Sequence, residues 1–167
     1  MPRYIIPLFF ILSTIIIITY TFSDIWFGND HPKIYLDRDR CSECGMVIST
    51  YLYSVMARER DSMEWLKFDD IGCFIKYLVD NGVKSVDKVL VYDYIEGQWI
   101  DGFKTYYIKV DPAKIQTPMS SGLIAVYNRS MAYGIAEEVE GEVYTFEEIV
   151  SLAQEDIEFL YLGEVSN

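Results

Sequence analysis

Two thiols three residues apart carry the chemistry most available to this sequence, in Arg40-Cys41-Ser42-Glu43-Cys44-Gly45-Met46. A loop lets Cys41 and Cys44 turn toward one ion, because Gly45 can take backbone conformations closed to other residues. Met46 adds a thioether two positions further on. Thiolate and thioether are soft ligands, and soft sulfur sites select Cu(I) over hard cations. A closed zinc site usually wants four ligands, with a second Cys or His pair. Only Cys73 and His31 are left to offer one, and they form no pair, so such a site is not expected. The same count disfavours an iron–sulfur cluster. The spacing also supports thiol–disulfide exchange, and outside the cytoplasm it can close a structural disulfide. A thioredoxin-like pair would open a helix after a strand. Here the pair follows a polar linker and precedes a strand-like run.

Other candidates are weighed against plainer roles. Met119, in Thr117-Pro118-Met119-Ser120-Ser121-Gly122, is a loop methionine and a further candidate ligand beside Cys41, Cys44 and Met46. Cys73 falls on the apolar side of a helical pattern and reads as a small buried residue. Met56, Met63 and Met131 read as packing residues. His31, the sole histidine, stands in the linker beside Pro32 and reads as exposed. Asp69-Asp70 and Glu147-Glu148 resemble carboxylate pairs, yet both open helical patterns, which favours capping, with Asp69 as the N-cap. One linker histidine cannot assemble a nucleophile–His–Asp set, and the chain does not read as an enzyme.

The elements that must hold these residues begin with an apolar leader. Tyr4 to Ser23 carries no charge, and its 20 residues span roughly 30 Å as a helix, the thickness of a bilayer core. Tyr20-Thr21-Phe22-Ser23 is a poor cleavage site, so residues 1–23 read as an uncleaved membrane anchor. Arg3 precedes the span and Asp24 and Asp30 follow it, which puts the body on the extracytoplasmic side. The 167 residues hold 14 Lys+Arg against 26 Asp+Glu, a net charge of -12. With Arg3 set apart, 13 basic residues face 26 acidic ones from Asp24 onward, a balance of −13. Such a body lacks the basic face that nucleic acid requires. At 16% aromatic residues it is not a disordered acidic tail either.

Residues 24–40 read as a polar linker. Beyond it the pattern repeats. Tyr51 to Arg58 and Trp65 to Phe68 read as strands, and Ile71, Phe74, Ile75 and Leu78 have helical spacing that Asn81-Gly82 ends. In the second half, Leu123 to Tyr127 and Ala132 to Val139 read as strands before a helix from Tyr144 to Leu152. Phe68 and Phe146 are offset by 78 residues, and Met46 and Met119 by 73. Lys88 to Tyr94 and Thr105 to Val110 read as intervening strands. The expectation is an α+β body of two small ββα-type units, 41–104 with the Cys-x-x-Cys-Gly-Met segment and 105–167 after it.

Cys44-Gly45-Met46, Phe68-Asp69-Asp70-Ile71-Gly72-Cys73 and Pro118-Met119-Ser120-Ser121-Gly122 with Ala125 together resemble the NosL family, nitrous-oxide reductase accessory proteins attached to the membrane outside the cytoplasm. The resemblance runs from about Cys41 to Leu152. It implies two ββα-type units, Cu(I) binding, and delivery of copper to nitrous oxide reductase with help from an ABC-transporter complex. Carried over, it makes Cys44 and Met46 ligands, with Cys41 forming a Cys-x-x-Cys-Gly-Met variant. Family members are commonly lipoproteins, whereas this chain reads as helix-anchored, and members outside a nitrous-oxide context leave the copper client open. The rival readings are a thiol–disulfide oxidoreductase using Cys41 and Cys44, and a structural subunit stapled by their disulfide.

Overall fold

A computed structural model describes residues 32–160. The apolar leader and His31 lie outside the described residues. Among the described residues no helix is long and apolar enough to cross a membrane.

Alternating apolar residues build the first sheet. Strand β1 (Val55–Glu59) is central, antiparallel to β2 (Trp65–Phe68) on one side and to β3 (Val86–Tyr92) on the other. Strand β4 (Trp99–Asp101) closes the far edge. The period of two sends Val55 and Ala57 to one face and Met56 to the other. Met56 packs with Ile34 and Ile48, so the segment before β1 covers the outer face of this sheet. Helix α1 (Ile71–Asn81) covers the inner face with Ile71, Phe74, Ile75 and Leu78. Gly82, at φ 82°, stops it, its N–H donating to Leu78 O.

The second sheet places β5 (Tyr106–Lys109) between β6 (Leu123–Val126) and β7 (Glu142–Tyr144), all antiparallel. Tyr107 faces the main core, while Ile108 faces a smaller cluster with Ile124, Val126, Ala132 and Ala136. The last two belong to α2 (Arg129–Val139). Helix α3 (Phe146–Glu155) opens with a capping box between Thr145 and Glu148, and its Phe146, Ile149, Val150 and Ala153 join the main core. Phe74 of α1 and Phe146 of α3 stack with ring centroids 6.5 Å apart. One core is therefore shared by α1, α3 and both sheets, and the chain from Ile34 onward is one compact unit.

The α+β class is as expected, and the ββα order holds for β1-β2-α1. The second half departs from it. Residues 132–139, expected to be a strand, lie in α2, so the order there is strand, strand, helix, strand, helix. The reason is local. Asn128 accepts the Met131 N–H through its side chain, and Ala132 and Ala136 are the buried residues at i and i+4.

Candidate metal centre

The cysteine loop is built before it meets the rest of the chain. Gly45 donates its N–H to Cys41 O at 3.0 Å, and Cys41 donates to Met46 O at 2.8 Å. Gly45 sits at φ +74°, which an L side chain rarely adopts. An isolated bridge between Arg40 and Val47 closes the loop base. Three contacts then hang it on the fold. Ser42 donates its N–H to Lys67 O at 2.7 Å and accepts the Lys67 N–H on its hydroxyl, which attaches the loop to β2. Glu43 pairs with Lys76 of α1.

This seating aims both thiols at the start of α1. Cys41, Cys44, Cys73 and Asp69 bring one donor atom each to within 4.8 Å of one another. Cys41 is 3% exposed, Cys73 1% and Asp69 2%, while Cys44 is half-buried at the open side. The Cys44 thiol faces both oxygens of Asp69, at 3.6 and 3.7 Å. All three cysteines are free thiols.

The thiols are unequal in acidity. The Cys73 thiol donates to the Cys41 sulfur, which brings Cys41 down to about 7 despite its burial. Cys73, holding that proton against Cys41 and buried as well, is pushed far up. Burial pushes Cys44 up to about 11, with the neighbouring Cys41 and Asp69 adding to the rise. Cys41 is thus the most acidic of the three, flanked by two thiols that hold their protons more tightly. A cation entering the cluster would displace their protons and neutralise the converging negative charge.

Asp69 and Asp70 divide the work that spacing alone had merged. The N-cap of α1 is Asp70, not Asp69. Its Oδ1 accepts the Gly72 N–H at 2.7 Å and the Ser121 hydroxyl, and its Oδ2 accepts the Met119 N–H at 2.8 Å. This wholly buried carboxylate therefore ties the Met119 loop to the first turn of α1. Asp69, freed from capping, turns to the thiols.

The expected donors are distributed as follows. Cys41 and Cys44 are brought together. Met119 packs, partly buried, against the core cluster that includes Cys41 and Cys73 and takes in Cys44. Met46 is 46% exposed on the outer side of the loop. Cys73 is buried as expected, but beside two other thiols. Cys73 and Asp69 were missed as donors, because nothing in their spacing says that this helix start meets the cysteine loop. Asp69 precedes the N-cap and Cys73 stands at the third helical position, so both lie at the helix start that faces the loop.

Comparison with known proteins bears on the fold and the family. The crystal structure of the copper chaperone NosL from Shewanella denitrificans has a similar fold, with a TM-score of 0.62 at 18% identity over 70% of this chain and 94% of that one. No curated protein matches the chain. The family model named NosL matches residues 33–153, a span that takes in both sheets, the cysteine loop, Asp69, Cys73 and Met119. The chain belongs to the NosL family.

Proposed function

We propose that this protein is a Cu(I)-binding metallochaperone, held at the membrane by its leader with the body on the extracytoplasmic side, that hands copper to a client copper enzyme such as nitrous oxide reductase. An ABC-transporter complex is a further proposed partner. Copper is cargo here, bound and passed on rather than used in turnover. The observation that carries this reading is the convergence of three thiols from two segments at one point. Three thiolates are a soft, low-coordinate set that suits Cu(I). A structural relative described as a copper chaperone supports the same reading.

Handover follows from the uneven burial. Cys41 and Cys73 hold the ion from the deep side, where a competing ligand cannot reach. Cys44 is half-buried and Met46, two residues on in the same loop, is exposed, so these sulfurs form the rim that a partner can reach from solvent. A partner's sulfur or imidazole enters at that rim, bonds to copper as Cys44 leaves it, and draws the ion out through three-coordinate intermediates. The acidic body would steer toward a basic docking face.

Anaerobic titration of the reduced protein with Cu(I) against a competing chelator tests the reading. One tight equivalent is expected, and Cys44→Ser or Cys73→Ser should each weaken it by at least about tenfold. Unchanged affinity in Cys44→Ser would remove the copper reading. The lowered pKa of Cys41 also favours a second reading, thiol–disulfide exchange with Cys44. An oxidoreductase would turn over model disulfides and keep doing so without Met46. Protease accessibility on intact cells tests the topology, since a body outside the cytoplasm is cleaved without lysis.

A further inference from the structure

We infer that Asp69 turns the thiol cluster into a four-donor site for a tetrahedral divalent ion of the zinc class, and that this one carboxylate sets the balance between that ion and Cu(I). The inference rests on the same cluster as the copper reading and deepens it by naming a second metal class and the residue that discriminates.

The first observation is geometric. Tetrahedral zinc with bonds of about 2.3 Å to sulfur and about 2.0 to 2.2 Å to oxygen implies edges of roughly 3.8 Å between sulfurs and roughly 3.6 Å between sulfur and oxygen. The Cys44–Asp69 edge is already 3.6 Å, and no pair among the four donors exceeds 4.8 Å. Closure requires movements of an ångström or less, and Cys44, on a loop, is the member free to make them. The sequence count that argued against a closed zinc site weighed only Cys73 and His31 beside the loop pair and left Asp69 out.

The second observation is electrostatic. Asp69 is 2% exposed, and its side-chain partners are thiols. Among the described residues no Lys or Arg lies within salt-bridge distance of it. A buried carboxylate without a cation is costly unless something positive joins it. Asp70 next door shows the alternative, with its oxygens taken up by N–H and hydroxyl donors. Asp69 has no such set, and its oxygens point at the sulfurs.

The two metals use the four donors differently. Cu(I) is satisfied by three thiolates and gains little from a hard oxygen. Asp69 then remains as an uncompensated negative neighbour of an already anionic copper–thiolate unit. A divalent ion brings one more positive charge and takes the oxygen as its fourth ligand. Asp69 therefore favours the divalent ion and disfavours Cu(I), and its neutral isostere should reverse the preference.

The test uses the full-length protein, reduced and in detergent, under anaerobic conditions. Co(II) serves as the spectroscopic probe and Zn(II) displaces it, with Cu(I) titrated in parallel. One equivalent of Co(II) should give thiolate charge-transfer bands and the intense d–d bands of a tetrahedral site. Asp69→Asn should weaken Co(II) and Zn(II) by at least about tenfold while leaving Cu(I) as tight or tighter. Asp69→Glu, which keeps an oxygen donor, should recover part of the Co(II) affinity, and circular dichroism checks that both variants fold. The inference is overturned if Co(II) gives octahedral spectra, if Asp69→Asn leaves Co(II) affinity unchanged, or if that variant loses Cu(I) and Co(II) equally. Tight Cu(I) binding with no tetrahedral Co(II) would leave the copper reading standing alone. Tetrahedral Co(II) binding sensitive to Asp69, with no Cu(I) binding, would do the reverse.

Discussion

Asp69 and Asp70 are identical side chains on adjacent residues, and the backbone alone gives them different work. Asp70 is the first residue outside the helix, where an extended conformation at φ −139° turns its carboxylate onto the free N–H groups of α1. It also holds Met119 and Ser121 across 49 and 51 residues of chain. Replacing it with Asn keeps one acceptor but turns an N–H₂ group toward donors already pointing inward. Asp70→Asn should therefore cost about 2 to 3 kcal/mol in denaturant unfolding, with the Met119 loop the first part to exchange its amide protons. Unfolding at the parental denaturant midpoint would show that this carboxylate does not tie the two halves. At this scale the sequence was half legible. Cys41 and Cys44 announce themselves by spacing, because both ends of the ligand pair lie in one loop. Cys73 and Asp69 do not, since their approach to that loop depends on how α1 docks against β2, a tertiary fact with no short-range signature. The helix-start pattern pointed to a cap correctly, but one residue early.

At the scale of elements, α2 separates what periodicity can show from what it cannot. Residues 132–139 contain Tyr, Ile and Val, which favour a strand reading. The segment is nevertheless a helix whose fully buried residues are Ala132 and Ala136, with Ile135 and Val139 partly buried against the same cluster, while Tyr133 is 51% exposed. Its inward stripe of Ala132, Ile135, Ala136 and Val139 has helical spacing, but two of the four are small and the exposed Tyr133 interrupts the reading, so a second signal was Asn128 at its start. By contrast α1 was readable because it buries Ile71, Phe74, Ile75 and Leu78 at helical spacing, and β6 because it is a short, continuous apolar run buried at all four residues. Two glycines now make opposite predictions. Gly134 lies exposed in the middle of α2 with nothing within 4 Å of where a Cβ would stand. Gly134→Ala should raise stability by about 0.5 to 1 kcal/mol, read as a shifted denaturant midpoint. Gly72 is in the first turn of α1, where a Cβ would come within 2.6 Å of the Ser121 Cβ. Gly72→Ala should push away the loop bearing Met119 and cost about 1 to 3 kcal/mol. If the two substitutions acted alike, the tight contact between α1 and the 117–122 loop would be wrong.

At the scale of the whole molecule, a net charge of -12 acts against compactness. Several carboxylates work the other way. Lys67 holds Asp39 below the usual range by hydrogen bonding, Arg58 does so for Asp87 and Lys114 for Glu140, and the Thr145 N–H lowers Glu148. A carboxylate with a depressed folded value stabilises above its unfolded value, 3.8 for Asp and 4.5 for Glu, and that contribution is lost as pH falls through the folded value. Below about pH 7 all three thiols of the metal-free protein hold protons, so the carboxylates dominate. Thermal stability of the metal-free protein should therefore hold level from about pH 7 to about pH 5 and fall as the pH drops below about 4.5, as the paired carboxylates take up protons. Raising the ionic strength from about 0.01 M to 0.15 M should increase the melting temperature at about pH 7, where the excess of negative charge repels itself. A melting temperature that falls steadily from neutrality, with no response to salt, would mean that the acidic surface carries no folding cost. The excess of negative charge would then bear only on solubility and on the docking of a basic partner.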